Sequence, residues 1–156
     1  MVIIEDSRQQ AGKHEVKHER FSQLGDILIR SKLPFGDYAL PPKCAVDTKE
    51  TMNEIAQNIG GRHDEHERFK RECVAARDAG TKLVILVENT DGITRLGEVH
   101  TWTNPRLKVS PKAINGPQLE KAMRTMTERY GVRFEFCRPS EAADRIREIL
   151  LEVRDE

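Results

Sequence analysis

The sequence predicts an α/β protein with a mixed central sheet flanked by helices. Three observations carry that expectation. Val2–Glu5 and Cys44–Thr48 are short runs with strand character. Lys82–Glu88, KLVILVE, is the most apolar stretch and is short enough for a strand buried on both faces. Between and after these runs, apolar residues recur at helical spacing and stop at glycine. A chain of 156 residues suits a single domain, 1–156, that buries roughly two thirds of its unfolded surface.

Taken in order, Val2–Glu5 reads as the first strand, ending at Asp6. The polar segment Gln9–Gln23 reads as a loop leading into a short helix. Ile27–Ser31 and Phe35–Leu40 alternate as strands joined near Leu33-Pro34. Pro41-Pro42 reads as a turn and Cys44–Thr48 as the next strand. These three strands are expected to form a meander that brings Asp37 and Asp47 to neighbouring positions. Thr51–Ile59 reads as a helix, with Ile55 and Ile59 at i, i+4 and Gly60-Gly61 as its stop. His63–Ala79 is a longer helix that buries Phe69, Cys73 and Ala76 and ends at Gly80.

Lys82–Glu88 follows as the central strand. Asn89–Ile114 is polar and irregular, and is expected to be mobile or to face a substrate. Trp102, within it, is expected in the core. Gln118–Tyr130 is amphipathic through Leu119, Met123 and Met126. Val132–Cys137 is the last strand, and Ser140 is expected to cap a helix carrying Ile146, Ile149, Leu150 and Val153.

Charged residues make up 33% of the chain and hydrophobic ones 37%, which describes a modest core and a busy surface. No apolar run approaches the roughly 20 residues that span a bilayer. MVIIEDSRQQ has no basic start followed by a small-residue cleavage site, so a cytoplasmic location is expected. Cys44, Cys73 and Cys137 are odd in number, far apart and without a C-x-x-C pair, which argues against a disulfide framework or zinc ribbon and favours buried free thiols. The pairs His14/His18 and His63/His66 have helical chelating spacing, but with no cysteine nearby they are expected to be polar surface. The formal net charge is zero, yet Thr101–Arg133 holds seven basic residues against Glu120 and Glu128. Lys108 and Lys112 in that stretch are candidate phosphate contacts.

The run LPFGDYALPPKCAVDTKE, Leu33 to Glu50, carries the chemistry. Asp37 follows a glycine, and Asp47 and Lys49 form a D-x-K triplet. Two carboxylates meeting across adjacent strands make a site for a hard divalent cation, Mg2+ or Mn2+. Strand alternation puts Asp47 and Lys49 on one face. Thr48 is expected to face the other way and to offer its backbone carbonyl to the metal. The lysine can hold a phosphate or an attacking water, which completes the minimum equipment for phosphodiester hydrolysis. A second motif, Ile3-Ile4-Glu5-Asp6-Ser7-Arg8, places an acid at the end of the first strand, where α/β sites are built. Asp6 can complete the carboxylate cluster, and Arg8 can meet a phosphate.

D-S-R near the N-terminus, then L-P-x-G-D-Y, then V-D-T-K, resembles the nuclease domain of XPF-type structure-specific endonucleases, within the PD-(D/E)xK superfamily. The resemblance implies a restriction-endonuclease-like sheet and a metal-dependent DNA endonuclease acting on branched or flap DNA. It matches Asp6 to the first acid, Arg8 to the motif arginine, Asp37 to the G-D acid, Asp47 to the usual Glu and Lys49 to the catalytic lysine. It also makes Arg68 a residue that contacts DNA or supports the site. The arrangement is similar to compact stand-alone forms from phage and prophage genomes, so a bacterial or phage-infected cell is implied.

The sequence departs from the family pattern at three further places. Gln9 stands for a Glu, Thr48 for an Arg and Asn53 for an Asp. Glu50 and Glu54 are nearby acids, but Glu50 is expected to point away from Asp47 and Lys49. The family's tandem helix-hairpin-helix module is not expected within these residues, which makes a homodimer or a recruiting protein partner natural. Two other readings stay open: a DNA-binding module with a decayed site, and a dimeric resolvase-type nuclease acting on four-way (Holliday) junctions.

Overall fold

β1 (Val2–Asp6) leads through α1 (Glu15–Gln23) to β2 (Ile27–Ser31). β3 (Tyr38–Leu40) and β4 (Cys44–Lys49) follow, then α2 (Met52–Gly60), α3 (His63–Asp78) and β5 (Lys82–Glu88). The chain closes with α4 (Gly116–Tyr130), β6 (Arg133–Cys137) and α5 (Ala142–Arg154). The computed structural model describes residues 1–40 and 44–154. The turn expected at Pro41-Pro42 and the terminal acids Asp155 and Glu156 lie outside the described residues.

One mixed sheet of six strands has the order β2-β1-β3-β4-β5-β6. β3 runs antiparallel to both its neighbours, and every other pairing is parallel. The expected α/β class with a mixed, helix-flanked sheet is what forms.

The expected meander forms only in its second half. β3 and β4 pair antiparallel, with Tyr38 opposite Val46 and Leu40 opposite Cys44. β2 instead lies parallel to β1 at the sheet edge, with Val2 opposite Ile27 and Asp6 opposite Ser31. The helix α1 separates these two strands. Such a crossover returns the chain to lay down a parallel neighbour, whereas a hairpin would have given an antiparallel one.

Alternation along the strands divides the core into two. Ala45, Ile85 and Val87 face α2, α3 and α4, meeting Ile55, Phe69 and Met123. Tyr38, Val46, Val84 and Leu86 face α1 and α5, meeting Phe21, Ile146 and Leu150. Each fully buried aliphatic or aromatic side chain adds roughly 1.5–3 kcal/mol of stability. β5 is buried from Leu83 to Glu88, as a strand covered on both faces must be.

The helix ends follow capping chemistry. The Thr51 side chain accepts from the Glu54 amide at the start of α2. Asn115 and Gln118 form a reciprocal capping box that starts α4 at Gly116, two residues before the expected Gln118. Ser140 does not cap α5; it lies in a 3-10 turn, Pro139–Glu141, where the Glu141 carboxylate accepts from the Arg138 amide.

The irregular segment after β5 is more ordered than its composition suggests. It holds 3-10 turns at Leu96–Thr101 and Pro105–Lys108, and Ile93, Val99 and Trp102 are buried in the core beneath α4. The Trp102 indole donates to Asp91 at 3.2 Å, so this residue is core, as expected. Cys44 and Cys73 are buried thiols, whereas Cys137 is only half-buried. The histidines depart from simple surface: His14 is buried, and His18 meets the buried Glu5 at 2.6 Å. Among the described residues no helix is long and apolar enough to cross a membrane.

Candidate active site

The single antiparallel strand explains why the motif residues converge. β1 and β4 both run antiparallel to β3, so the C-terminal ends of β1 and β4 lie beside the start of β3. Asp6 ends β1, Asp47 and Lys49 end β4, and Asp37 immediately precedes β3. The Asp37 amide donates to the Val46 carbonyl at 2.7 Å, and the Asp37 carbonyl accepts from the Asp6 amide at 2.7 Å. Asp37 is thus pinned between the two parallel strands.

Gly36 is required by geometry. Its φ is +77°, and a Cβ there would lie 2.9 Å from the Ala45 Cβ and 3.3 Å from the Val46 carbonyl oxygen. The G-D pair of the motif therefore has a local cause: the chain turns against β4 at the glycine and delivers the next carboxylate to the strand end.

Asp37 Oδ2 accepts from both the Thr48 amide, at 2.7 Å, and the Thr48 hydroxyl, at 2.9 Å. Thr48 therefore contributes its amide and side chain, where its carbonyl alone was expected to matter. Burial and then the charge of Asp47 push the Asp37 carboxyl well above the usual carboxylate range. Lys49 Nζ lies 2.8 Å from Asp47 Oδ2 and 5.2 Å from the Phe69 ring centroid. Burial opposes the lysine's charge, but Asp47 beside it holds the ammonium above its ordinary value. The Lys49 ammonium is thus the charge partner of the buried Asp47 Oδ2.

Asp6 is turned to structural contacts. Its Oδ1 accepts from the Leu33 amide at 3.0 Å, and its Oδ2 accepts from Arg8 Nε at 2.8 Å. Arg8 also donates to the Leu33 carbonyl at 2.6 Å, yet its side chain is 58% exposed and stays within reach of an anion.

Glu72 belongs with these residues and was missed in the sequence. Its Oε1 accepts from the Gly36 amide at 2.9 Å. Burial and then the Asp47 charge raise it to about 7. The signal lay in the helix register, because Glu72 follows Phe69 by three residues and so shares the face that packs on the sheet.

Asp6, Arg8, Asp37, Asp47 and Lys49 line two adjoining open clefts. One, of about 310 Å3, extends toward Gln9, His14, Glu50 and Glu54. The other, of about 490 Å3, extends to α3 through Arg68, Phe69 and Glu72. Glu50 lines the first cleft instead of turning away, and it pairs with Lys13 at 3.0 Å. Gln9 lines that cleft too, whereas Asn53 is exposed on α2 and lines neither. Lys108 and Lys112 are not brought here. Lys112 sits with Arg62 and Arg106 by Gly60, at the far end of α2, whose nine residues span roughly 14 Å.

The donors fit a hard divalent cation. The half-buried Asp37 and the buried Asp47 are near enough for the charge of Asp47 to raise the Asp37 carboxyl, a repulsion that a cation between them would relieve. Among the described residues no group of three or more His, Cys, Asp or Glu is arranged to hold a metal. The fit is therefore to an ion such as Mg2+, which keeps several waters and takes one or two carboxylates.

No family model matches the sequence, and no curated protein matches it. In structure the chain is similar to XPF from Aeropyrum pernix, with a TM-score of 0.68 and 18% identity, covering 96% of this chain and 63% of that one. It is also similar to XPF from Aeropyrum pernix in complex with DNA, with a TM-score of 0.69 and 18% identity, covering 99% of this chain and 64% of that one. The chain thus spans less than two thirds of the length of these proteins. At such identity the likeness is one of fold, and this chain has the restriction-endonuclease-like fold seen in XPF.

Proposed function

We propose that this protein is a metal-dependent DNA endonuclease that hydrolyses phosphodiester bonds and acts on branched or flap DNA. The observation that carries the reading is the meeting of Asp37, Asp47 and Lys49 at one end of the sheet in an open cleft. A fold shared with an XPF that has been crystallised with DNA supports the choice of substrate class.

Asp37 and Asp47 would hold Mg2+ or Mn2+. When bound, the ion supplies Lewis-acid charge stabilisation and makes its water a stronger acid. Thr48 orients Asp37 through two donors. Lys49 stays a cation, so it acts as a donor that orients the attacking water or stabilises charge developing on the phosphate. Arg8 faces the same cleft with an exposed guanidinium suited to a neighbouring phosphate. Arg68 lines the α3 side and can meet the next one. Glu72 is a positioning residue, since it holds the Gly36 amide beside Asp37.

The test is cleavage of labelled flap, fork and four-way-junction DNA in Mg2+, Mn2+ or EDTA, comparing wild type with Asp47→Asn. Metal-dependent cutting that disappears in the variant is the expected result. The preferred substrate separates a flap enzyme from a junction resolvase. A folded wild type that binds these DNAs but leaves them intact would replace the nuclease with a non-catalytic DNA-binding module.

A further inference from the structure

A second groove, of about 370 Å3, lies between α3 and α4, away from the carboxylates. Its α3 wall carries Lys70, and its α4 wall carries Lys121 and Arg129. The floor between them is apolar, built from Tyr130, whose ring Arg77 overlies at 5.7 Å, and from the largely buried Ile59 and Met126. No Asp or Glu lines the groove, although the chain has as many acidic as basic residues, 26 of each. Among the described residues none of the three cationic side chains forms an ion pair. Neither acid of α4 lines the groove: Glu128 is not among its walls, and Glu120 is turned to another flank, where it holds His100 at 3.0 Å and Arg124 at 3.4 Å.

Charge of one sign around an apolar floor selects an anionic ligand with flat hydrophobic faces. Packed helix axes stand roughly 8–10 Å apart, so a groove between two of them is too narrow for a duplex. A single strand fits this chemistry: its phosphates meet the cationic rim, and its bases lie on the apolar floor. We propose that the α3–α4 groove is an exosite for an unpaired DNA strand, with Lys70, Lys121 and Arg129 on its phosphates and its bases toward the part-exposed Tyr130.

This assignment rests on the DNA reading above and specifies which part of a branched substrate is held. α3 is the wall between groove and cleft, with Lys70 on one flank and Arg68 and Glu72 on the other. A helix with its side chains is roughly 10–12 Å across. The exosite therefore holds the unpaired arm a short distance from the cleavage centre.

The test is binding of labelled oligo-dT and of a blunt duplex of equal length, followed by fluorescence anisotropy in EDTA over a salt series. Lys121→Glu/Arg129→Glu is compared with wild type and with Arg133→Glu/Arg138→Glu, an equal charge change at the two ends of β6. The groove variant is expected to lose oligo-dT affinity by about tenfold or more, with its salt slope flattened by about 0.7 per lost contact. The β6 variant and the duplex affinity should change far less. Equal losses in both variants, or a groove variant that binds oligo-dT like wild type, would overturn the exosite. Circular dichroism confirms folding, and Lys70→Ala/Lys121→Ala gives a milder second variant. Binding is read without metal, so failure of catalysis leaves this test standing. Cleavage with unchanged single-strand binding would remove the exosite and leave the nuclease.

Discussion

The Gly36 amide donates a 2.9 Å hydrogen bond to Glu72 Oε1, tying the turn before Asp37 to helix α3. The contact couples the position of one candidate metal ligand to a helix that packs on the sheet through Phe69 and Cys73. In this contact Glu72 serves as a hydrogen-bond acceptor, a role that an amide oxygen can also fill. Glu72→Gln keeps an acceptor for the Gly36 amide and should retain most single-turnover activity. Glu72→Ala leaves that amide without its partner, and cleavage should fall about tenfold or more, the equivalent of one displaced hydrogen bond. Equal damage by both variants would show that the negative charge matters instead.

Gly36 itself should tolerate no side chain. Gly36→Ala meets a positive φ and a close contact with Ala45 together, and should cost about 1–3 kcal/mol. Gly25→Ala provides the control, because φ there is +78° with open space around it. Thermal melts of the two variants separate conformational strain from the clash, and Gly36→Ala should melt several degrees lower.

Asp37 should be costly to the unliganded fold. Burial and Asp47 raise its folded carboxyl above the unfolded value. Its stabilising protonation is fully present below the unfolded value near 4 and is lost as pH rises through the higher folded one. In EDTA at neutral pH, Asp37→Asn should therefore melt above wild type, because the amide oxygen can still accept from Thr48 without a partly desolvated charge beside Asp47. The difference should vanish in acid. Mg2+ should raise the wild-type melting temperature and leave the variant's unchanged. A variant that melts below wild type at neutral pH would contradict this view of the site.

On the opposite face, Lys17 of α1 meets Glu88 at the end of β5 across 2.9 Å, with side chains only 10% and 6% exposed. Lys17→Met strands a buried carboxylate and should cost about 3 kcal/mol or more in urea unfolding. The double variant Lys17→Met/Glu88→Met should recover most of that loss, since an apolar pair carries no desolvation cost. A double variant as unstable as the single one would show that the ion pair itself stabilises α1 on the sheet.

Much of the fold was written in local pattern. KLVILVE marked a strand covered on both faces, because such a strand is apolar through its middle, although β5 stands next to the edge strand β6 and not at the centre of the sheet. The periodicities of α3, α4 and α5, with the glycine stop after α3, marked three helices to within about two residues, although Ser140 does not cap α5. Alternation along β4 was enough to put Asp47 and Lys49 side by side. These features depend on residues close in sequence, and spacing records them directly.

Other features depended on how distant segments pack. The pairing of β2 with β1 followed from the α1 crossover and not from the alternation of β2 itself, which a meander would have satisfied equally. Glu72 reached Gly36 only because α3 lies across the strand ends, thirty-six residues along the chain. Lys108 and Lys112 share a charged stretch with α4, yet packing beneath α4 carries that stretch to the far end of α2. The sequence by itself determined most of the strands and helices and which residue types stand at the ends of β1 and β4. The tertiary structure decided which distant carboxylate and which cations join them, because long-range contacts are set by how faces bury against one another and leave no fixed spacing in the chain.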